Sequence, residues 1–170
     1  MKVWLKNMAG IHCSELELLM IGHPRRELLT HVTVKSVQAC SVLGLVAAGP
    51  LYALYNGKRS SAEIRDSALM GGRYGFCAGM MLGPISVAAR MSTLNDVEVY
   101  DRCYRLRHNE NVTRVDRMSL LGTAIGGGVA AFQGGDVADG AIVGMAGGIF
   151  LAAAYNVIKT GKIKIDTSGM

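Results

Sequence analysis

Aromatic side chains are scarce in this chain of 170 residues, which has one tryptophan, three phenylalanines and six tyrosines; a core built on stacked rings is excluded. Prolines number three and cysteines four, and four cysteines are too few for a disulfide scaffold at this length. Charge of one sign is nowhere concentrated. The net charge is +5, yet Lys and Arg form no tract of the kind that tracks a nucleic-acid backbone, so no nucleic-acid partner is expected. The first ten residues hold no long apolar core, and Glu15 and Glu17 break the acid-poor composition of an organellar presequence. Signals for an organelle membrane would then be internal. A nucleophile with its base, a metal-ligand set and a phosphate loop are also missing, so neither catalytic residues nor cofactors nor metals are expected. His12, Cys13 and His23 lie close together, but no fourth ligand follows at a recognisable spacing. The run Gly126, Gly127, Gly128 lacks both the spacing and the preceding strand of a dinucleotide fingerprint.

What the chain has instead is small and aliphatic residues. Half of it is hydrophobic and 22 residues are glycine, about twice the usual share of roughly 7%. Gly71, Gly75, Gly79 and Gly83 stand at four-residue intervals inside an apolar segment, so on a helix they pave one face with bare backbone. In water each would cost a helix about 1 kcal/mol relative to alanine. In a bilayer the backbone has no water to turn to, and small-xxx-small faces let helices associate by close packing. The pattern predicts an all-α membrane protein.

Along the chain, residues 1–31 form an amphipathic lead. Ser14 and Glu17 make a capping-box pattern for a short helix from about Glu15 to Ile21, which Pro24, Arg25 and Arg26 interrupt. Ser36 to Gly57 is uncharged and long enough to cross a core of roughly 30 Å, with its own row Ser36, Cys40, Gly44, Ala48 and an interfacial pair Tyr52 and Tyr55. Tyr74 to Ala89, held between Arg73 and Arg90, spans only about 24 Å, so both arginines must snorkel or the bilayer must thin. Residues 91–117 form a polar connection, with a short interfacial helix at Val97–Arg107. Its Arg102, Arg105, Arg107, Arg114 and Arg117 are either solvated or hold phospholipid headgroups or an acidic partner. Met118 to Gly135 carries Gly122, Gly126 and Ala130 in register, and Gly140 to Ile158 carries Gly140, Gly144, Gly148 and Ala152, ended by Lys159, Lys162 and Lys164. The expected fold is four transmembrane helices, at about 32–57, 67–90, 117–135 and 139–158, in one domain over 32–162 with a short tail 163–170.

The stretch from Arg114 to Lys162, with its core G-T-A-I-G-G-G-V-A-A-F-Q-G-G-D-V-A-D-G-A-I-V-G-M-A-G-G, resembles the glycine-rich hairpin of the Tim-type preprotein translocase superfamily. Within that superfamily it is most similar to the Tim-like accessory subunits of respiratory complex I. The shared order is an acidic residue before the third helix, paired glycines, a short turn, a glycine-alanine helix and the ending Lys159, Thr160, Gly161, Lys162. The chain departs from the superfamily in the spacing of Arg114 and Asp116, and its lead and middle loop are longer. The resemblance implies a multi-pass protein of the mitochondrial inner membrane with both termini in the intermembrane space. It also implies a supporting role in the membrane arm of complex I, with no chemistry of its own. Partners would be membrane-arm subunits, phospholipid such as cardiolipin, and other respiratory complexes. Against that topology, the termini and middle loop carry 14 of the 18 Lys and Arg, which the positive-inside rule would place in the matrix. If that side is the oxidising intermembrane space, Cys13 and Cys103 can form a disulfide between lead and middle loop. The alternative function is a translocase component whose glycine-lined face guides a precursor; polar residues within the helices would be its mark.

Overall fold

The computed structural model describes residues 2–168, and every regular element among them is a helix. In chain order these are α1 (Lys2–Met8), α2 (Glu15–Leu19), α3 (Pro24–Leu43), a π turn (Gly44–Ala48), α4 (Gly49–Tyr55), α5 (Ser61–Met91), α6 (Asp96–His108), α7 (Glu110–Phe132) and α8 (Val137–Ser168). The long helices overrun the apolar segments because capping residues lie further out than the last charge. Pro24 opens α3 rather than breaking a helix; its fixed φ suits the first turn and its missing N–H is not needed there. Ser60 with Glu63 and Asn95 with Glu98 form capping boxes at the starts of α5 and α6. Asn109 caps α7 by accepting from the Val112 N–H, so the third apolar helix begins seven residues before the sequence expectation. The middle connection is consequently helical almost throughout. The polar lead carries α1 as well as the expected α2, whose capping box joins Ser14 and Glu17. Helix α8 continues through Ser168, so the tail begins as helix, and residues 169–170 lie outside the described ones.

The chain folds as two antiparallel helical hairpins with a polar end-piece. The continuous rod Pro24–Tyr55 pairs with α5, and α7 pairs with α8. The first pair turns at Gly57 and the second at Gly134, both with positive φ (73° and 69°), which glycine adopts without steric penalty. Elements α1, α2 and α6 gather at the other end, where Ile21, Leu28, Val99 and Cys103 make a small core. Two helices, Pro24–Tyr55 and Val137–Thr160, are long and apolar enough to cross a membrane. By the same criterion α5 and α7 fall short of the four expected spans. Their glycines contribute little hydropathy, and their first turns carry charge: Glu63, Arg65 and Asp66 in one, Glu110, Arg114, Asp116 and Arg117 in the other.

Candidate functional site

Within each hairpin the helices meet backbone to backbone. A Cβ built on any of Gly44, Gly71, Gly75, Gly79 or Gly83 would fall within 3 Å of a facing atom in the first hairpin. The same holds for Gly122, Gly126, Gly140, Gly144 and Gly148 in the second. Gly44 faces the Gly71 carbonyl, Gly75 faces that of Cys40, and Gly79 lies against the Val37 Cα. Across the second hairpin, Gly122 and Gly144 face each other's carbonyls, as do Gly126 and Gly140. Real Cβ atoms essentially never sit that close, so a side chain at any of these positions would force the facing helix to shift. The row on the first helix shifts by one at its end: Gly49, not Ala48, packs on Ser67 and Ala68. The π turn causes the shift, because the Gly49 N–H reaches back five residues to the Gly44 carbonyl and the extra residue rotates Gly49 onto the face. Pro50, which has no N–H to donate, follows at once.

Side chains join one hairpin to the other. Near the start of α7, Asp116 and Ser119 meet α3 in a buried polar cluster. The Gln38 amide donates to Ser119 Oγ at 2.7 Å and to Asp116 Oδ1 at 3.1 Å. Lys35 Nζ lies 2.5 Å from Asp116 Oδ1 and His31 Nδ1 3.8 Å from Asp116 Oδ2. Just beyond the end of α7, Arg73 donates from Nε to Asp139 and from Nη2 to Asp136, each at 2.7 Å. Asp136 also accepts from the N–H groups of Ala138 and Asp139; those bonds first, and Arg73 second, hold its carboxyl below the usual carboxylate range. A third set ties down the lead. Arg107 donates to both carboxylate oxygens of Glu27 at 2.6 Å and, through Nη1, to the carbonyls of Glu17, Leu18 and Met20. Both partners are 4% exposed.

The sequence reading missed the polar row Glu27, His31, Lys35, Gln38. Its spacings of four, four and three place it on one face of α3. That spacing, just ahead of an uncharged run, was the available signal.

This geometry removes Arg107 from the five-arginine surface. Arg107 is buried, and Arg117 donates to the Asn7 carbonyl of α1 at 2.9 Å. Arg114 bonds Asn111 and Asn156, lies 3.5 Å from Glu110 and covers the Tyr155 ring at 4.9 Å. Arg114 and Arg117 are half-buried and, with Arg107, line a polar recess of about 400 Å³. Arg102 is half-buried, and Arg105, paired with Asp101 on its own helix, borders a polar recess of about 570 Å³ with His108, Glu110 and Lys159.

The disulfide is also corrected, because Cys13, Cys40, Cys77 and Cys103 are all free thiols. Cys103 is buried in the small end core and donates to the Pro24 carbonyl at 3.2 Å. Cys13 points instead at the Val3 and Ile11 carbonyls. Burial, with Glu27 nearby, pushes the Cys103 thiol up to about 11 from 9.0. A raised folded value favours the protonated form: this contribution to stability is full below pH 9.0 and is lost as pH rises through about 11. Alkylation of Cys103 in the folded protein should therefore keep accelerating about tenfold per pH unit beyond pH 9.0. A rate that levels at pH 9.0 would show an ordinary, accessible thiol.

Outside the two hairpins the surface is apolar. Phe76, Leu82 and Ile85 on α5, Leu121, Ile125 and Phe132 on α7, and Phe150, Leu151 and Val157 on α8 are all exposed. Among the described residues no group of three or more His, Cys, Asp or Glu is placed to hold a metal ion. A family model described as "Protein of unknown function (DUF1757)" matches residues 4–155. No curated protein matches the chain.

Proposed function

The chain belongs to the DUF1757 family, and we propose that it is a non-catalytic, four-span membrane scaffold, a Tim-type accessory subunit in the membrane arm of mitochondrial complex I. The observation that carries the scaffold reading is the backbone-to-backbone lock inside each hairpin. Glycine-only contact of this kind gains from close packing where hydrophobic burial cannot drive association. It also supports four spans rather than two. Helix α5 is locked along the apolar rod Pro24–Tyr55, and α7 along α8; neither can leave the bilayer while its partner crosses. The exposed Phe, Leu and Ile residues then face lipid or neighbouring subunits, for which an aqueous protein has no comparable use.

The assignment to complex I, to the inner membrane and to termini in the intermembrane space rests on the resemblance of residues 114–162 to the Tim-type hairpin. A translocase component would share that hairpin. The polar side chains between the helices favour the scaffold: Lys35, Gln38, Asp116 and Ser119 are satisfied by one another and present no line of free groups for a passing polypeptide.

Native electrophoresis of mildly solubilised mitochondrial membranes, with mass spectrometry of the bands, tests the assignment. Co-migration with NADH dehydrogenase activity is the expected result. Migration with a preprotein translocase would keep the fold and replace the function, and recovery in the detergent-free soluble fraction would end the membrane reading altogether.

A further inference from the structure

A groove of about 640 Å³ runs along the outer side of the first hairpin. Its floor is the backbone of Gly44, Gly71 and Gly75, and its walls include Tyr52, Met70 and Tyr74. From Ser67 to Ala78, both on its lining, it follows eleven residues of α5, about 17 Å at 1.5 Å per residue. One end lies beside Lys58, Arg59, Arg65 and Asp66; the other, at Cys40 and Ala78, lies in the uncharged middle of the helices.

The polar group at the charged end is Ser67. It is 7% exposed, and its hydroxyl makes no hydrogen bond among the described residues. Thr30, Thr33, Thr123 and Thr160 each donate to the carbonyl four residues back; Ser67 does not. Ser67 lines the groove, and its Oγ is not sealed in the packing as Ser41 Oγ is. A buried donor left in this way loses the solvation it had in water, which an acceptor in the groove would restore.

Shape points to the occupant: the groove is apolar, long and open along one side, as an extended hydrocarbon chain requires. Charge decides the headgroup chemistry. Arg65 and Arg73 are already paired with Asp66, and with Asp136 and Asp139, whereas the exposed Lys58 and Arg59 are in no ion pair among the described residues and complement the phosphate of a headgroup at the mouth of the groove. We infer that the groove holds one acyl chain of a glycerophospholipid, with the ester carbonyl accepting from the Ser67 hydroxyl and the hydrocarbon running toward Cys40 and Ala78.

The inference rests on the membrane reading above, and one experiment separates the two. The full chain is placed in nanodiscs of dioleoyl phosphatidylcholine and released for native mass spectrometry. Failure to enter the nanodisc overturns both readings. With entry, one retained phospholipid per chain is expected. Ala78→Phe, which fills the groove from an exposed position, should reduce retention more than tenfold, and Ser67→Ala about three- to tenfold, the value of one hydrogen bond. Ala154→Phe, exposed on α8, should leave it unchanged. Equal retention in all four proteins overturns the site, as does a change of oligomeric state with Ala78→Phe, which would make the groove a protein contact. Displacement of the phospholipid by an equal mole fraction of oleic acid would overturn the ester assignment.

Discussion

Replacing Gly79 by leucine should split the first hairpin. The new side chain would begin 2.5 Å from the Val37 Cα and 2.7 Å from the Ser36 carbonyl oxygen, and backbone cannot rotate out of the way as a side chain can. Overpacking usually costs about 1–3 kcal/mol and sometimes more, against about 1 kcal/mol returned by the better helix propensity of leucine. A net loss of about 2 kcal/mol is expected, at the upper end of that range because the facing atoms are backbone, read as a lower unfolding temperature in micelles. Two controls make the result specific. Met81→Leu lies on the exposed side of the same helix and should stay within about 0.5 kcal/mol of wild type. Gly128→Ala, with nothing within 4 Å of its Cβ position, should instead stabilise by up to about 1 kcal/mol. If Gly79 and Gly128 tolerate substitution alike, glycine is present for composition and not for contact.

The second large effect is expected at Arg107. Arg107→Leu would leave the Glu27 carboxylate buried without a partner, together with the carbonyls of Glu17, Leu18 and Met20. Removing one member of a buried pair costs about 3–5 kcal/mol. The lead should detach before the hairpins melt, so limited proteolysis should cut within residues 1–23 of the variant and spare the wild type. Adding Glu27→Leu to Arg107→Leu removes the orphaned charge and should recover part of the loss. Two single changes whose costs merely add would show that the pair is not coupled. Because both side chains are buried, added salt should alter the effect little.

The sequence and the structure diverge for identifiable reasons. Glycine spacing was legible because a four-residue interval maps directly onto a helix face, so Gly44 and Gly71 to Gly83 could be placed on the packing side before any coordinates. The one-residue shift from Ala48 to Gly49 was not legible: a π turn leaves no mark in spacing until Pro50 is considered as its cause. Helix ends were misplaced where charge was taken as a boundary, as at Pro24 and Glu110, although caps decide boundaries. Arg107 looked like surface because arginine usually is. What buries it is Glu27, eighty residues away, and long-range charge pairing has no local signature. Cys13 and Cys103 were paired on a shared side of the membrane, which says nothing of distance or direction.

The division of labour between backbone and side chain bears on how the molecule is made. Each hairpin is closed by contacts that need no residue from the other, formed between segments adjacent in the chain. The hairpins meet through side chains that must first find their places: Lys35 and Gln38 with Asp116 and Ser119, Arg73 with Asp136 and Asp139, and Ile142 against Gly72. The order of assembly is thereby built in. Residues up to Met91 can zip shut while the remainder is still being synthesised, and the second half arrives as a finished piece, recognised by charge. A break in the chain between Ser92 and Asn95 would then leave two self-sufficient halves, with the grip of Arg107 on the lead to draw them back together.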